Sequence, residues 1–482
     1  MTSDKTAPAA REGSGESEAG TWGELLRPRY LAATVTLCLG VALFAFNEFF
    51  ISTALPSAVR ELGGAALLSW AFTFYLVFAI VGGMVAANLK QRFGARNTLL
   101  AAATVFIAGT LLASFAASMP QVLAGRLLQG AGEGVVAALC YALIPELFPS
   151  RLVPKIFGAE AIVWATAAFL GPLISGALTE HWSWRAAFFV NVPVAAIFIA
   201  LVLFIVPRAG TVRQSGPTIP YLRLVAAGFG ILLISLSGTV ASTGLMATLL
   251  VLAAMILLGV VHLDRRSGNP VLPRRAFSTG TPLGSGFWII LLMPLAQAAA
   301  AVFLVYGLQH LWQLGPTAAG FLSAVMAMSW SSTAIVVASL RSQALRNRII
   351  QLGPVLLLAG LTSLLVAMAT GTLWLVALGQ LAIGAGFGIS WGTLSQLMMD
   401  VSTNEERDRT SAMLPTLQSA GYAIGAAVFG LVANLRGFDE AASDAVLRSA
   451  LLTVFTAACA VAAVAEVFGI RAVRLSMPKG TL

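Results

Sequence analysis

Residues 125–134 read Gly-Arg-Leu-Leu-Gln-Gly-Ala-Gly-Glu-Gly, and residues 379–388 read Gly-Gln-Leu-Ala-Ile-Gly-Ala-Gly-Phe-Gly. The stretches are offset by 254 residues, with their glycines in register. The same offset carries Gly171 onto Gly425 and Gly176 onto Gly430. A single glycine cluster in apolar, low-complexity sequence is a weak signal, because chance matches are frequent there. Two clusters in register on consecutive apolar runs identify a parallel internal repeat, in which the fourth and fifth helices of each half correspond.

The composition around these stretches sets the medium. Of 482 residues, 58% are hydrophobic and only 10% charged, whereas soluble domains average about 25% charged. A chain with so little charge cannot cover itself for water, so its outer surface faces hydrocarbon. Its apolar runs are about 20 residues long, the length a helix needs to cross a bilayer. In lipid only helices and closed barrels satisfy the backbone, and runs of this length without alternation are helical. The expected fold is therefore an all-α polytopic membrane protein.

Apolar helices are predicted at 31–55, 67–87, 98–117, 121–143, 156–178 and 186–206, then at 222–240 and 244–262. Six more are predicted at 285–308, 317–339, 351–370, 373–397, 411–434 and 449–469, fourteen in all. The repeat offset exceeds the length of six helices because the pair at 222–262 is inserted between the halves. The expected organisation is a disordered tail at 1–27, a six-helix bundle at 28–207 and a linker with the inserted pair at 208–275. A second six-helix bundle at 276–475 and a tail at 476–482 complete it. The first 21 residues are rich in Ser, Gly, Ala, Glu and Thr. They read as a cytosolic tail and not a cleavable signal, which leaves the first helix as its own insertion signal.

With the amino terminus inside, the inner segments hold 24 Lys and Arg and the outer loops hold four, Arg60, Arg185, Arg436 and Arg448. That asymmetry predicts both termini on the cytoplasmic side of a cell (inner) membrane. It also explains the net charge of +9 without nucleic acid. Cys38, Cys140 and Cys459 fall in separate apolar runs and His181, His262 and His310 are scattered. That is neither a metal site nor a disulfide framework, and neither metal nor cofactor is expected.

Charges within the hydrocarbon are the better functional signal, since each costs about 3 kcal/mol or more on insertion scales. Five are found: Glu48, Arg126, Glu133, Glu160 and Glu466. Glu160 and Glu466 read as interfacial. Glu48 and Arg126 have similar depth, so an ion pair is expected between them. Glu133 falls near the middle of the fourth helix, seven residues from Arg126 and on nearly the same face. It reads either as a proton-coupling or substrate-charge residue or as a simple partner of Arg126. The corresponding positions of the second half are Gln380 and Phe387, which confines the ionisable chemistry to the first half.

Gly384, Gly388 and Gly392 are spaced four apart, as are Gly421 and Gly425. Such faces let helix backbones approach closely, and seams of this kind can also slide when two halves rock in alternating access. Pro172 with Gly171 and Gly176, and Pro294 in the ninth crossing, mark expected kinks. Gly388-Ile389-Ser390-Trp391-Gly392 fits the esterase pattern G-x-S-x-G, but inside an apolar helix without a partner His it carries no catalysis. No phosphate loop, zinc-protease motif or nucleotide-binding domain is found, so ATP-driven transport by this chain alone is not expected, nor is any enzymatic activity.

Several of these residues together resemble the major facilitator superfamily, and more closely its fourteen-helix drug:proton antiporter branch. Arg126, Gln129, Gly130 and Gly132 are similar to the fourth-helix motif, whose arginine the family implicates in proton coupling. Gly171-Pro172 with Gly176 resembles the fifth-helix antiporter motif, with Ala167 in place of one glycine. Trp184-Arg185 with Phe189, Asn191, Val192 and Pro193 resembles the branch's sixth-helix start. Asp264-Arg265-Arg266-Ser267-Gly268-Asn269-Pro270 resembles its segment after the inserted pair. The sequence departs from the family in two places. The loop Asn88-Leu89-Lys90-Gln91-Arg92-Phe93-Gly94-Ala95-Arg96 keeps its basic residues but has Gln91 where the acid belongs and Ala87 for a glycine. The first-helix motif ends in Ala54-Leu55-Pro56, but its usual aspartate is Asn47, beside Glu48.

The resemblance implies a secondary transporter that moves a small organic molecule by alternating access, coupled to protons and monomeric in the lipid bilayer. Efflux of drug-like or amphipathic compounds is the leading expectation. The altered motifs motivate an alternative, uptake of an aromatic metabolite or vitamin such as riboflavin. A third class, a non-transporting scaffold or sensor, lacks support because no sizeable soluble module is attached. The expected proton-coupling or substrate-charge residues are Glu48, Arg126 and Glu133. Gating and packing are expected of Arg92, Gly94, Arg96, Gly130, Gly171, Pro172, Gly176, Gly384 and Gly388. Candidate cavity-lining residues are Asn47, Gln129, Trp164, Trp288, Tyr306 and Trp391.

Overall fold

The computed structural model describes residues 21–149, 152–207, 221–267, 270, 272–273, 275–337, 343–438 and 443–476. A short α1 (Trp22–Leu25) leads into α2 (Pro28–Leu62), α3 (Leu68–Phe93), α4 (Ala95–Ser114), α5 (Met119–Leu147) and α6 (Val153–His181). The sixth crossing is split into α7 (Trp184–Phe189) and α8 (Asn191–Ile205), and α9 (Tyr221–Ser237) and α10 (Thr243–Arg266) form the inserted pair. The second half is α11 (Pro282–Leu311), α12 (Pro316–Val337), α13 (Gln343–Thr370), α14 (Trp374–Asp400), α15 (Asn404–Leu435) and α16 (Asp444–Ser476).

Among the described residues, thirteen spans are long and apolar enough to cross a bilayer. The 17-residue α9 is a fourteenth at the short end of that range. The protein is thus an all-helical, multi-pass membrane protein, as the hydropathy predicts. Helix ends differ from the predicted ones because hydropathy detects only the apolar stretch. α2 continues past Leu55 through Pro56 to Leu62, and stops where Gly63 (φ 74°) and Gly64 (φ 87°) take backbone angles that other residues rarely adopt. The break between α7 and α8 has a local cause. Pro193 has no N–H to give the Phe189 carbonyl one turn back, and the Asn191 side chain donates to the neighbouring carbonyls of Ala187 and Phe188, at 3.5 and 3.2 Å. α6 and α11 run unbroken through Pro172 and Pro294.

The two halves pack alike. α5 lies between α3 and α4, and α14 lies between α12 and α13; α2 packs on α6, and α11 on α15. Glycines set these distances. A Cβ on Gly130 would collide with the Tyr75 carbonyl, and on Gly384 with the Met326 carbonyl. Gly134 meets Ala79 and Gly388 meets Trp330 in the same way. On the other face, Gly132 approaches Ala102, and Gly386 approaches Gly353. The glycines obey the 254-residue offset and their neighbours a slightly shorter one, so the repeat extends to the second and third helices of each half. Gly392 departs from the expectation of a three-glycine seam, for a Cβ there meets nothing within 4 Å.

The halves meet along α6–α12 and α3–α15, with the roles of the repeats exchanged. Gly176 abuts Thr317 across the first seam and Gly430 abuts Ser69 across the second. Hydrogen bonds that bridge the bundles cluster at the end remote from the termini. Arg60 donates to the Gln309 side chain (3.2 Å) and Gln309 to the Thr53 carbonyl (3.3 Å). Thr317 donates through N and Oγ1 to the Glu180 carboxylate (2.9 and 2.8 Å), and Asn434 donates to the Ala66 carbonyl (3.0 Å). The inserted pair packs over the α3–α15 seam, where Val77, Ile231, Ala423 and Ala427 form a small core.

A methyl group at Gly388 has to displace backbone of α12, an overpacking that costs about 1–3 kcal/mol. One turn further along the same helix it meets open space. Gly388→Ala should lower the thermal unfolding temperature of the detergent-purified protein and Gly392→Ala should not; equal behaviour would refute the seam.

Candidate functional site

The buried polar residues of the first bundle converge where α2, α3, α4 and α5 meet. Arg126 on α5 is 2% exposed. Its Nε donates to the Ala71 carbonyl of α3 at 3.2 Å, and its Nη1 donates to Gln129 Oε1 at 2.9 Å. Gln129 Nε2 donates in turn to Thr110 Oγ1 of α4 at 3.0 Å. The guanidinium carbon lies 4.0 Å from the centre of the Tyr75 ring. Hydrogen bonds to a charged group contribute about 1.5–3 kcal/mol each, and a desolvated cation over an aromatic face about 2 kcal/mol. Together they exceed the roughly 3 kcal/mol insertion penalty of an arginine. Arg126 is accommodated without a carboxylate.

That corrects the expected ion pair. Glu48 and Arg126 influence one another electrostatically, but they do not form an ion pair within 4 Å, as Lys90–Glu146, Arg185–Glu61 and Arg223–Asp264 do. Glu133 is not bonded to Arg126 either. Its Oε2 accepts from Asn47 Nδ2 at 2.9 Å, joining α5 to α2, and its Oε1 has no hydrogen-bond partner. The Tyr75 hydroxyl comes near this carboxyl without making a hydrogen bond. Asn47, Gln129 and Glu133 are almost wholly buried. Asn47, at the usual aspartate position, thus supplies the donor that a carboxylate could not.

Glu48 follows Asn47 on α2 and is half-buried. It faces the interval between the bundles, within electrostatic reach of Tyr422 on α15. Glu466 is also half-buried. Glu160, expected near the interface, lies in the first part of α6 but on a buried side. It is 2% exposed, and neither carboxyl oxygen has a hydrogen-bond partner. Depth along a helix is readable from sequence, but the side of the helix it occupies is not.

The candidate aromatics divide. Trp164 packs edge-on against Phe44 at 5.6 Å, and Trp391 joins Phe387 and Trp330, the latter two stacked at 4.8 Å. Trp164 and Trp391 are part-exposed. Trp288 stacks on Phe468 at 5.4 Å and donates to the Phe277 carbonyl at 3.1 Å. Tyr306 is 3% exposed and stacks on His310 at 3.8 Å. The last two belong to the packing of the second bundle. Ser390, in the esterase-like pattern, donates to the Gly386 carbonyl at 2.6 Å within its own helix.

The motif residues around the site have structural work. Gly94 (φ 80°) links α3 to α4, and Arg92, exposed, lies over the Phe93 ring at 5.3 Å. Arg96 is half-buried. In this loop Lys90 pairs with Glu146 of α5 and Asn88 bonds Tyr221 of α9, so its ties run to its own bundle and the inserted pair. Gly171 abuts the Cβ of Phe49, and Pro172 abuts Gly320. Arg185 Nη2 donates to the Ala116 carbonyl at 2.9 Å, and Trp184 Nε1 donates to Glu61 at 2.8 Å, clamping the end of α2. Asp264 pairs with Arg223 and accepts from the Leu272 amide at 2.9 Å, fastening α9 and α10 to the following segment. Gly268 and Asn269 of that motif lie outside the described residues.

Tyr75 and Thr110 are missed by a search for charges. Both are polar groups in the middle of apolar runs, and that was the available signal. Thr110→Val keeps the shape but strands the Gln129 amide, which should cost about 1–3 kcal/mol. Arg126→Lys loses the fork that reaches Ala71 and Gln129 together. Thermal unfolding of purified variants should show both losses, and unchanged stability of Arg126→Lys would contradict the network.

A family model of the Major Facilitator Superfamily matches residues 37–426. A protein of Mycobacterium tuberculosis (strain H37Rv) named "Probable multidrug-efflux transporter" is 34% identical over 463 residues, with 92% of this chain and 96% of that one covered. The "Multidrug transporter protein MdtP" of Bacillus subtilis (strain 168) is 26% identical over 407 residues, covering 82% of this chain and 74% of that one. A solved peptide transporter POT, in complex with sulfate, aligns with a TM-score of 0.66 at 15% identity over 92% of this chain and 95% of that one. A D-xylose–proton symporter aligns at 0.61 and 17% identity, over 91% and 97%. These likenesses carry the fold, and with the repeat, the crossed seams and the family match they lead to one conclusion: the chain is a membrane transporter of the major facilitator superfamily.

Proposed function

We propose that the protein is a proton-coupled exporter of drug-like, amphipathic compounds, working by alternating access in the cytoplasmic membrane with both termini inside. The observation that carries the coupling is the Glu133 carboxyl, buried at mid-bundle with one oxygen on Asn47 and the other unbonded. An arginine two turns away on the same helix is satisfied by other groups. Such a carboxyl is free to exchange a proton when its surroundings change, whereas one locked to a guanidinium is not. Glu48, part-exposed between the bundles, is the second acidic group and the one placed to meet a substrate.

Export is favoured over vitamin uptake by the names of the relatives, which are multidrug-efflux and multidrug transporters. The proposed membership of the fourteen-helix drug:proton antiporter branch agrees with the inserted pair and its Asp264 clasp. Alternating access is supported by the seams. The bundles are bonded at the end remote from the termini, which, with the termini inside, leaves the cytoplasmic side able to open. Gly176, Gly320 and Gly430 provide the smooth surfaces on which α6 and α15 rock.

In everted vesicles, a proton gradient should drive ethidium accumulation by the wild-type protein. Glu133→Gln should abolish that accumulation while preserving ethidium counterflow without a gradient. Unchanged gradient-driven transport by Glu133→Gln would overturn the coupling role, and riboflavin uptake that rescues an auxotroph would overturn export.

A further inference from the structure

Glu160 takes no part in the site described above, and its surroundings set it apart. It lies about seven residues into α6, on the side facing α2 and α5. Helices α2 and α5 run in opposite directions along a common seam. At mid-depth that seam carries the Asn47–Glu133 bond. Seven residues back along α2 and seven on along α5, Gly40 abuts the Cys140 sulfur. Two helical turns are about 10 Å, so this second level is that much nearer the terminus-bearing end. Cys38, Cys140 and Tyr141 are the ionisable side chains within electrostatic reach of Glu160 there.

No cation faces it. Lys155, on its own helix, lies over the Trp22 ring at 5.3 Å, and Arg185 of α7 is held by Glu61 at the opposite end. Helix α12 carries no ionisable residue, and α1 contributes the acid Glu24. An ionised carboxylate without a donor in such a place costs several kcal/mol, far more than a neutral acid. Between the two levels runs a chain of aromatic contacts. Trp164, one turn from Glu160, packs on Phe44 at 5.6 Å, and Phe44 lies 6.2 Å from the Tyr75 ring beside Glu133. Tyr141, at the Glu160 level, is exposed.

We propose that Glu160 is a second proton-carrying residue of the transport cycle, placed about two helical turns from Glu133 toward the terminus-bearing end of the same bundle. In the present conformation it is a carboxylic acid. When the bundles rock and water enters, its O–H bond breaks, the proton passes to water, and a carboxylate remains until the next protonation. The proposal rests on the proton-coupled reading above and adds one proton to it.

The full-length protein in proteoliposomes, with ethidium as substrate, allows the proton-to-substrate ratio to be read from the pH gradient that just balances a fixed ethidium gradient. Glu160→Gln should lower this ratio by one proton while transport stays gradient-driven. An unchanged ratio would overturn the role of Glu160 and leave the coupling by Glu133 intact, whereas a wild-type protein indifferent to pH would overturn coupling itself. If Glu160→Gln does not fold, Glu160→Asp should shift a carboxylic-acid C=O band in pH-difference infrared spectra, and a band that does not move would overturn the proposal.

Discussion

Everything in this protein depends on how closely its helices approach. Water drives no association between helices inside a bilayer, so the bundles are held by backbone-to-backbone contact at small residues and by a few internal hydrogen bonds. Gly130 and Gly134 let α5 lie against the carbonyls of Tyr75 and Ala79, and Gly125 and Gly132 do the same against α4. Because α5 is seated this closely, the Arg126 side chain reaches Ala71 on one neighbour, and through Gln129 it reaches Thr110 on the other. The second bundle repeats the seating without the charge, with Gln380 donating to the Ser323 carbonyl at 3.0 Å.

From this follows a division of labour between the halves. The two repeats supply matching scaffolds, and the fully buried Arg126, Glu133 and Glu160 all lie in the first. Arg126 is held by polar and aromatic groups, and it makes no ion pair with the nearby carboxyls of Glu48 and Glu133. The Asn47 amide is the device that keeps Glu133 in place with only one of its oxygens bonded. Gly176, Gly320 and Gly430 with Pro172 remove bulk where the bundles touch, apart from the polar network in the interior of the first bundle.

Much of this architecture was legible in the chain. Apolar run length showed the crossings, glycine register showed the repeat, and the cost of charge in hydrocarbon singled out Arg126 and Glu133. The pairing was not legible. Asn47 and Glu133 are 86 residues apart and meet only because α2 and α5 are antiparallel neighbours. Equal depth suggested a Glu48–Arg126 pair, but the Arg126 side chain is taken up by Ala71, Gln129 and the Tyr75 ring. The burial of Glu160 was hidden for the same reason, since its depth is near the helix end but its side is the buried one. Gly392 continues the pattern of four past the point where a Cβ would meet a neighbouring helix.

The account stands on a carboxyl at position 133 that holds a proton and surrenders it when substrate binds. Proton release on ethidium binding, followed with a pH indicator in weakly buffered detergent solution near neutral pH, tests this directly. The wild-type protein should release protons on binding, and Glu133→Gln should release fewer while still binding ethidium. Equal release from the two proteins, or none from the wild type, would contradict the account.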